Sequence, residues 1–232
     1  MLCQKTGIDG PEICEIAKRL NNAFRSEESI QWLLQIKPED RGAHDKDKLL
    51  IEAYQLEGND TAAKQVIWNR FKRHIDAKDY LAYIKMADND EKQKAQQEAL
   101  EIAMQAEYIS QGFQFLHDIG NYDAIETLFL QRGQEVKGHD YYVYRPISSA
   151  LYKHGKALIA SLLRRKLVES ILEKAQSKYY RYAASDYKLA GDYAKNVTDW
   201  QGYYNHEKFI EALKQKHSRK RSFLELIAQA EK

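Results

Sequence analysis

Apolar residues repeat at the spacing of an α-helix along almost the whole of this chain. Near the start, the i, i+3, i+4 pattern of one buried helix face is followed by Ile13, Ile16, Ala17, Leu20 and Phe24. The 232 residues include only 3 Pro and 11 Gly, which leaves few of the turn residues that a sheet needs. Alternation of apolar and polar residues, which is typical of strands, never extends beyond four residues. The sequence therefore predicts an all-α fold of about a dozen helices.

Short Gly, Asn and Asp segments separate these helices. In the corners at Gly58-Asn59 and Gly120-Asn121, an alanine follows three residues after the asparagine, in the first turn of the next predicted helix. A similar corner lies near residues 22–30. A spacing of about 34 residues between helix–turn–helix corners is that of tetratricopeptide repeats, although the usual Trp and Pro anchors are missing. We therefore expect antiparallel helices stacked as an α-solenoid, tetratricopeptide-like, in a single domain over residues 1–232.

The second half of the chain continues the helical pattern. We expect the helix that contains Pro146 to bend or begin there, because proline lacks the backbone N–H that a helix interior uses. The predicted helices are Tyr141–His154, Lys156–Lys174, Ser177–Tyr193, His206–Lys216 and Arg219–Ala230.

Charge divides the chain into two unlike halves. Residues 1–140 hold 18 Lys and Arg against 25 Asp and Glu, a net charge of −7, whereas residues 141–232 hold 18 against 9, a net charge of +9. Of the 16 tyrosines, 11 lie after position 140. This asymmetry indicates an anionic partner for the second half, and it suggests a subdivision into an acidic part, 1–138, and a basic, Tyr-rich part, 139–232.

The basic residues of the second half are the candidate binding residues. Arg181, Lys188 and Lys195 are seven residues apart and so fall on one helix face, as a positive stripe. Two further groups are clustered in sequence, at 164–166 and at 219–221. The candidates are Arg164, Arg165, Lys178, Arg181, Tyr182, Lys188, Lys195, His217, Arg219, Lys220 and Arg221.

Several functions are compatible with this basic, aromatic segment. The leading hypothesis is a non-enzymatic module that binds a protein partner through the basic face. The alternative is a nucleic-acid-binding accessory domain, because Lys and Arg bind phosphates and tyrosine rings stack on unpaired bases. Head-to-tail self-association of the acidic and basic halves is a third reading. A structural reading competes with all three, because Tyr180, Ala183, Tyr187 and Ala190 keep the spacing of a packed helix face.

Catalytic and cofactor motifs are missing from the sequence. There is no G-x-S-x-G, no Gly-rich loop after a strand, no H-E-x-x-H and no C-x-x-C. We therefore expect no catalytic residues, no cofactor and no metal, and the seven histidines are scattered. The two cysteines, Cys3 and Cys14, suggest free thiols in a reducing compartment, with a Cys3–Cys14 disulfide as the alternative. No apolar run is long enough for a membrane span, and the expected location is the cytoplasm.

Several runs from Tyr141 onward resemble a known family. These are Tyr141-x-x-Tyr144-x-Pro146-x-x-x-Ala150-Leu151, Leu162-Leu163-Arg164, Ser177-Lys178-Tyr179-Tyr180-Arg181-Tyr182-Ala183-Ala184 and Lys216-His217-Ser218-Arg219-Lys220-Arg221-Ser222-Phe223. They look like a bacterial helical domain of unknown function found at the C-terminus of some SWIM zinc-finger proteins. The resemblance implies an all-helical fold and no particular activity. That family tends to have His at the position of Tyr182, and the Cys and His set of the SWIM finger is absent here.

Overall fold

The computed structural model describes residues 7–37 and 39–230. Within these ranges the chain forms thirteen α-helices and no strand, which confirms the all-α prediction. The stacking of the helices as a solenoid stays a prediction. The predicted Cys3 thiol lies outside the described residues, and Cys14 is buried, which raises the pKa of its thiol.

Contacts divide the chain into two compact units, Met1–Ile102 and Ala103–Lys232. The first unit contains the first five helices and most of the sixth, and the last seven helices lie in the second unit. The subdivision predicted at residues 138 and 139 marks a change of charge and stays a prediction.

The first unit is built from helices that pack on their neighbours in the chain. Its helices are α1 (Gly10–Asn22), α2 (Ser26–Leu33), α3 (Ala43–Leu56), α4 (Asp60–His74), α5 (Ala77–Met86) and α6 (Asn89–Met104). Asp9 caps α1, because its carboxylate accepts from the backbone N–H of Glu12 while the Glu12 side chain accepts from that of Asp9. The apolar faces of α1, α2 and α3 form one core around Ala17, Leu33 and Ala53, which are fully buried.

Two of the predicted corners have the same local chemistry. Gly58 and Gly120 adopt left-handed φ angles of 69° and 73°, which favour glycine at the end of a helix. The residues that follow, Asn59 and Asn121, are N-caps whose side chains accept a backbone N–H three residues on. Each Gly-Asn pair therefore ends one helix and starts the next.

The second unit is built around one long apolar helix. Its helices are α7 (Ile109–Asp118), α8 (Tyr122–Arg132), α9 (Tyr141–Lys153), α10 (Ala157–Glu173), α11 (Tyr180–Ala194), α12 (His206–Lys216) and α13 (Arg221–Ala230). Helix α10 packs against both α9 and α11. Small buried residues lie where α10 and α11 meet, and the Ser161 hydroxyl donates to the Ala190 carbonyl at 2.9 Å. These small side chains allow the two backbones to approach closely.

The end of α10 joins the last three helices in a second core. Tyr180 and Tyr187 on α11 are buried there against Phe223 of α13, with ring centroids 6.0 and 6.5 Å apart. Phe209 and Leu213 complete the core from α12. Tyr180, Ala183, Tyr187 and Ala190 are thus packing residues, as the structural reading of their spacing predicts.

Helix α9 covers Tyr141–Lys153, close to its predicted range, and continues through Pro146. Proline leaves the Tyr142 carbonyl without its helical donor, and Tyr142 is exposed, so water can supply one. Two other helices begin later than predicted. Helix α11 begins at Tyr180, after a 3₁₀ turn over Ser177–Tyr179. Helix α13 begins at Arg221, so Arg219 and Lys220 precede it.

Candidate functional site

A cleft rich in tyrosine opens on the surface of the second unit, with a volume of about 470 Å³. We call it the tyrosine cleft. Residues from α9, α10 and the start of α11 line it, together with the segment before α9: Gly138, His139, Tyr141, Arg145, Leu167, Ser170, Ile171, Lys174, Gln176, Tyr179 and Tyr182. Arginine, lysine and histidine are represented in this lining, whereas no carboxylate is. The cleft therefore has the character of a site for an anion.

Arg145 is the cation held most firmly in the tyrosine cleft. Its guanidinium carbon lies 5.0 Å from the ring centroid of Tyr141 and 5.5 Å from that of Tyr182. Its Nε and Nη2 atoms both donate to the carboxylate of Asp186, at 3.2 Å and 2.7 Å. Two rings and one carboxylate thus fix the orientation of this side chain.

Asp186 is shared between two arginines. Besides the two bonds from Arg145, its Oδ1 atom accepts from Nη1 of Arg164 at 2.6 Å. The Asp186 side chain is 1% exposed and that of Arg164 6%, whereas that of Arg145 is 26% exposed. We call these three residues the charge triad. With two cations and one anion, the charge triad carries one positive charge in excess.

Arg164 also controls the backbone beside the cleft. Its Nη2 atom donates to the Arg145 carbonyl at 2.9 Å and to the Ser149 hydroxyl at 3.0 Å. The Ser148 and Ser149 hydroxyls donate to the same carbonyl, at 2.9 and 3.2 Å. Arg164 therefore positions Arg145 twice, through the shared Asp186 and through this carbonyl.

Two of the predicted cations lie at the rim of the tyrosine cleft. The Lys178 Nζ atom is 4.9 Å from the ring centroid of Tyr179, and the Arg181 guanidinium is 4.8 Å from that of Tyr182. Nη2 of Arg181 also donates to the Tyr182 hydroxyl at 3.0 Å. All four side chains are exposed, and neither cation forms an ion pair within the described residues.

The predicted positive stripe along α11 is partly neutralised. Lys188 and Lys195 both bind the carboxylate of Asp192, at 3.1 and 2.8 Å. This contact lowers the pKa of Asp192 through hydrogen bonds from the two lysines. The end of the stripe that carries uncompensated charge is therefore the Arg181 end, beside the tyrosine cleft.

Three predicted site residues are buried, which removes them from the binding surface. Arg164 belongs to the charge triad. Arg165 is 4% exposed, and its guanidinium carbon lies 4.3 Å from the ring centroid of Trp200 and 4.6 Å from that of Phe209. Burial lowers the pKa of Arg165 to about 10. His217 is buried at the end of α12, and burial lowers the pKa of its imidazole. Arg164 and Arg165 are buried because α9 and α11 pack against α10.

The predicted cluster at Arg219, Lys220 and Arg221 lies in the link between α12 and α13. Arg219 and Arg221 are exposed and Lys220 is half-buried. None of the three forms an ion pair with a residue in the described ranges. The cluster adds to the positive surface of the second unit and does not line the tyrosine cleft.

Sequence reasoning missed Arg145 and Asp186, which matter most to the cleft. They are 41 residues apart, and no spacing rule joins them. One signal was present, since Asp186 lies among the tyrosines and alanines that form the apolar face of α11. An acid on the buried face of a helix predicts a buried cationic partner. Which of the nearby arginines supplies it cannot be read from the chain.

The first unit has a cavity of its own, also about 470 Å³. Its lining combines Lys48 and Lys85 with the ion pair between Arg70 and Asp79. Acid and base are thus mixed in this lining. Across the described residues, no group of three or more His, Cys, Asp or Glu side chains is placed to hold a metal ion. No described helix is both long and apolar enough to cross a membrane.

Comparison with known families gives a match over most of the chain. The profile described as "Family of unknown function (DUF6880)" matches residues 9–226, nearly the entire chain. The chain belongs to this family. Both units, and therefore the tyrosine cleft and the charge triad, lie almost wholly inside the matched range. A comparison with curated proteins finds no match.

Proposed function

We propose that this chain is a non-enzymatic binding module that engages an acidic segment of a protein partner through the basic face of its second unit. The supporting observation is the tyrosine cleft, whose lining has cations and no carboxylate. The rim cations Lys178 and Arg181 extend the positive surface beyond the cleft. An acidic segment would be attracted to this face and held by charge-assisted hydrogen bonds.

We further propose that the helices form a tetratricopeptide-like repeat stack and that the protein works in the cytoplasm. We also propose that it is related to the helical domain that accompanies SWIM zinc fingers. Helical-repeat stacks present extended surfaces to partner segments, which suits a binding role without catalysis.

Binding of labelled peptides tests this function. Octaglutamate labelled with fluorescein should raise its fluorescence anisotropy on titration with the full chain, and octaglutamine should not. Binding should weaken with added salt, because the contacts are ionic. The double variant Lys178→Gln with Arg181→Gln should weaken binding by about tenfold or more, since hydrogen bonds to charged groups contribute roughly 1.5–3 kcal/mol each.

The matched control uses two lysines farther along the chain. Lys188→Gln with Lys195→Gln removes the same charge, but these lysines already bind Asp192, so binding should change much less. Equal losses for the two double variants would show that only net charge matters. No binding of octaglutamate at low salt would overturn the proposed function.

Single-stranded nucleic acid is the second candidate, because Tyr179 and Tyr182 are exposed beside cations. Exposed rings of this kind can stack on bases. However, cations already lie over the Tyr141, Tyr179 and Tyr182 rings, so a base has to displace a cation or use the opposite ring face. The arrangement therefore favours anion recognition over base stacking. Anisotropy of labelled single- and double-stranded oligonucleotides, measured at low salt, separates the two candidates.

Self-association is tested by mass. If the acidic half of one copy binds the basic half of another, sedimentation should show a mass that grows with concentration. Arg219→Glu with Arg221→Glu should reverse that growth. A chain that stays monomeric at high concentration would exclude self-association through these two halves.

A further inference from the structure

We infer that the tyrosine cleft is a pocket for a single carboxylate, supplied by an Asp or Glu side chain of the acidic partner segment. This inference rests on the proposed function and adds to it the atom that receives the ligand, Nη1 of Arg145. The charge of the triad, the free donor on Arg145 and the apolar floor of the cleft all support it.

The first step is charge. Burying ions is costly unless opposite charges compensate them. In the charge triad one carboxylate, Asp186, faces Arg164 and Arg145, and all three polar groups are wholly or largely buried. Because the lining of the cleft has no carboxylate, the excess positive charge of the triad is not compensated there. One carboxylate bound beside Arg145 would make the group neutral.

The second step is the free donor. Nε and Nη2 of Arg145 are occupied by Asp186, and Nη1 makes no hydrogen bond to any described residue. Arg145 is the only triad member that lines the cleft. A ligand in the cleft therefore meets a guanidinium that is already oriented by Asp186 and by the rings of Tyr141 and Tyr182. A donor that is fixed in advance loses little entropy on binding.

The third step is the shape and polarity of the walls. Leu167 and Ile171 contribute apolar surface from α10, and the three tyrosines contribute rings. Further donors in the lining are the Lys174 amine, the Ser170 hydroxyl and the Gln176 amide. The methylene stem of an acidic side chain would pack on the apolar surface while its carboxylate reaches Arg145.

The same observations favour a carboxylate over a phosphate. Asp186 uses Nε–H and one N–H of Nη2, which leaves the N–H groups of Nη1 and the second N–H of Nη2 for a ligand. The single excess charge of the triad matches a monoanion better than a dianion.

Small aromatic acids test the cleft without any partner protein. Benzoate, benzamide and phenyl phosphate are titrated separately into the ¹⁵N,¹³C-labelled full chain, and NMR follows the Arg145 Nε–H and the Leu167 and Ile171 methyl signals. Benzoate should shift both sets of signals, and benzamide, which lacks the charge, should bind at least about tenfold more weakly. The inference is overturned if benzoate leaves these signals unchanged, or if phenyl phosphate binds more than about tenfold more tightly than benzoate.

Two variants assign the effect to the cleft. Arg145→Gln keeps Arg164 paired with Asp186 and should weaken benzoate binding at least about tenfold, followed by the methyl signals. Ile171→Phe leaves the charge triad intact and fills the apolar floor, and should weaken it comparably. Lys188→Gln is the matched control and should bind benzoate as the unaltered chain does. Unchanged affinity in both cleft variants would refute the inference.

The outcomes separate this inference from the proposed function. If octaglutamate binds and Arg145→Gln does not weaken it, the module binds acidic segments elsewhere and the pocket assignment is wrong. If benzoate binds at Arg145 while octaglutamate does not bind, the pocket is correct and the protein-partner function fails.

Discussion

Asp186 Oδ1 accepts a hydrogen bond from Arg164 Nη1 at 2.6 Å in the interior of the second unit. Both side chains are almost completely buried, and Asp186 also binds Arg145 at the edge of the tyrosine cleft. This single carboxylate therefore links the core of the unit to its surface site. Its neighbour along the helix, Asp192, binds two lysines at the surface, which provides an internal comparison.

Asp186→Asn should lower the free energy of unfolding by about 3–5 kcal/mol, because it leaves two guanidiniums without a counter-charge. Urea denaturation followed by circular dichroism measures the change. The control, Asp192→Asn, should cost less than about 1 kcal/mol, since exposed ion pairs contribute little. Equal losses at the two positions would mean that the buried triad contributes no more than a surface pair.

The two arginines of the triad should differ in their effect on stability. Arg164→Gln removes a buried charge and its bonds to Asp186, Ser149 and the Arg145 carbonyl, so it should cost about 2–3 kcal/mol. Arg145→Gln should cost about 1 kcal/mol, because it leaves Arg164 and Asp186 as a balanced pair. Urea denaturation of both single variants and the double variant gives their coupling. A larger loss at Arg145 than at Arg164 would contradict this ranking.

Gly112 on α7 should not tolerate alanine. A Cβ atom there would lie 2.3 Å from the Ala103 carbonyl oxygen, a backbone atom that cannot move aside freely. Gly112→Ala should therefore destabilise the protein by about 1–3 kcal/mol, although alanine is the better helix former by roughly 1 kcal/mol. Thermal and urea denaturation measure the loss.

Gly191 on α11 gives the comparison for that clash. There the nearest atom to an added Cβ is Nε2 of His206, at 2.9 Å, at the end of a side chain that can rotate. Gly191→Ala should change stability by less than about 1 kcal/mol. A large loss at Gly191 with none at Gly112 would refute the close approach of α7 to Ala103.

His217 should make stability depend on pH. Burial lowers the pKa of this imidazole below the 6.5 of an exposed histidine, so the unfolded chain binds a proton at a higher pH than the folded protein does. The stabilising contribution is complete above pH 6.5 and is lost as the pH falls through the lowered pKa. Urea denaturation at several pH values should show a shallower slope for His217→Gln than for the unaltered chain. The same slope for both would contradict this assignment.

Local features of the fold could be predicted from the sequence because they depend on neighbouring residues. The helical spacing at Ile13 and Ala17 predicts a buried face that the structure contains. The Gly-Asn corners at residues 58 and 120 end and start helices through their own φ angles and side chains. Phe24 is the exception, because α1 ends at Asn22 and this side chain, which the same spacing placed on the buried face, is 80% exposed.

The site shows where local reasoning ends. The exposed rim residues Lys178, Arg181 and Tyr182 were predicted, because an excess of charge and tyrosine is visible in the chain itself. The same reasoning placed Arg164, Arg165 and His217 on the surface, because the type of a residue gives its charge but not its burial.

The sequence by itself determined an all-helical protein with a basic, Tyr-rich second half, because helix periodicity and charge are properties of neighbouring residues. Only the tertiary structure decided which of the arginines are buried in the interior and which line the tyrosine cleft. That choice depends on Asp186, which is brought to Arg145 and Arg164 by the packing of α9, α10 and α11. Burial sets how much each charge must be compensated, and burial is a property of packed helices.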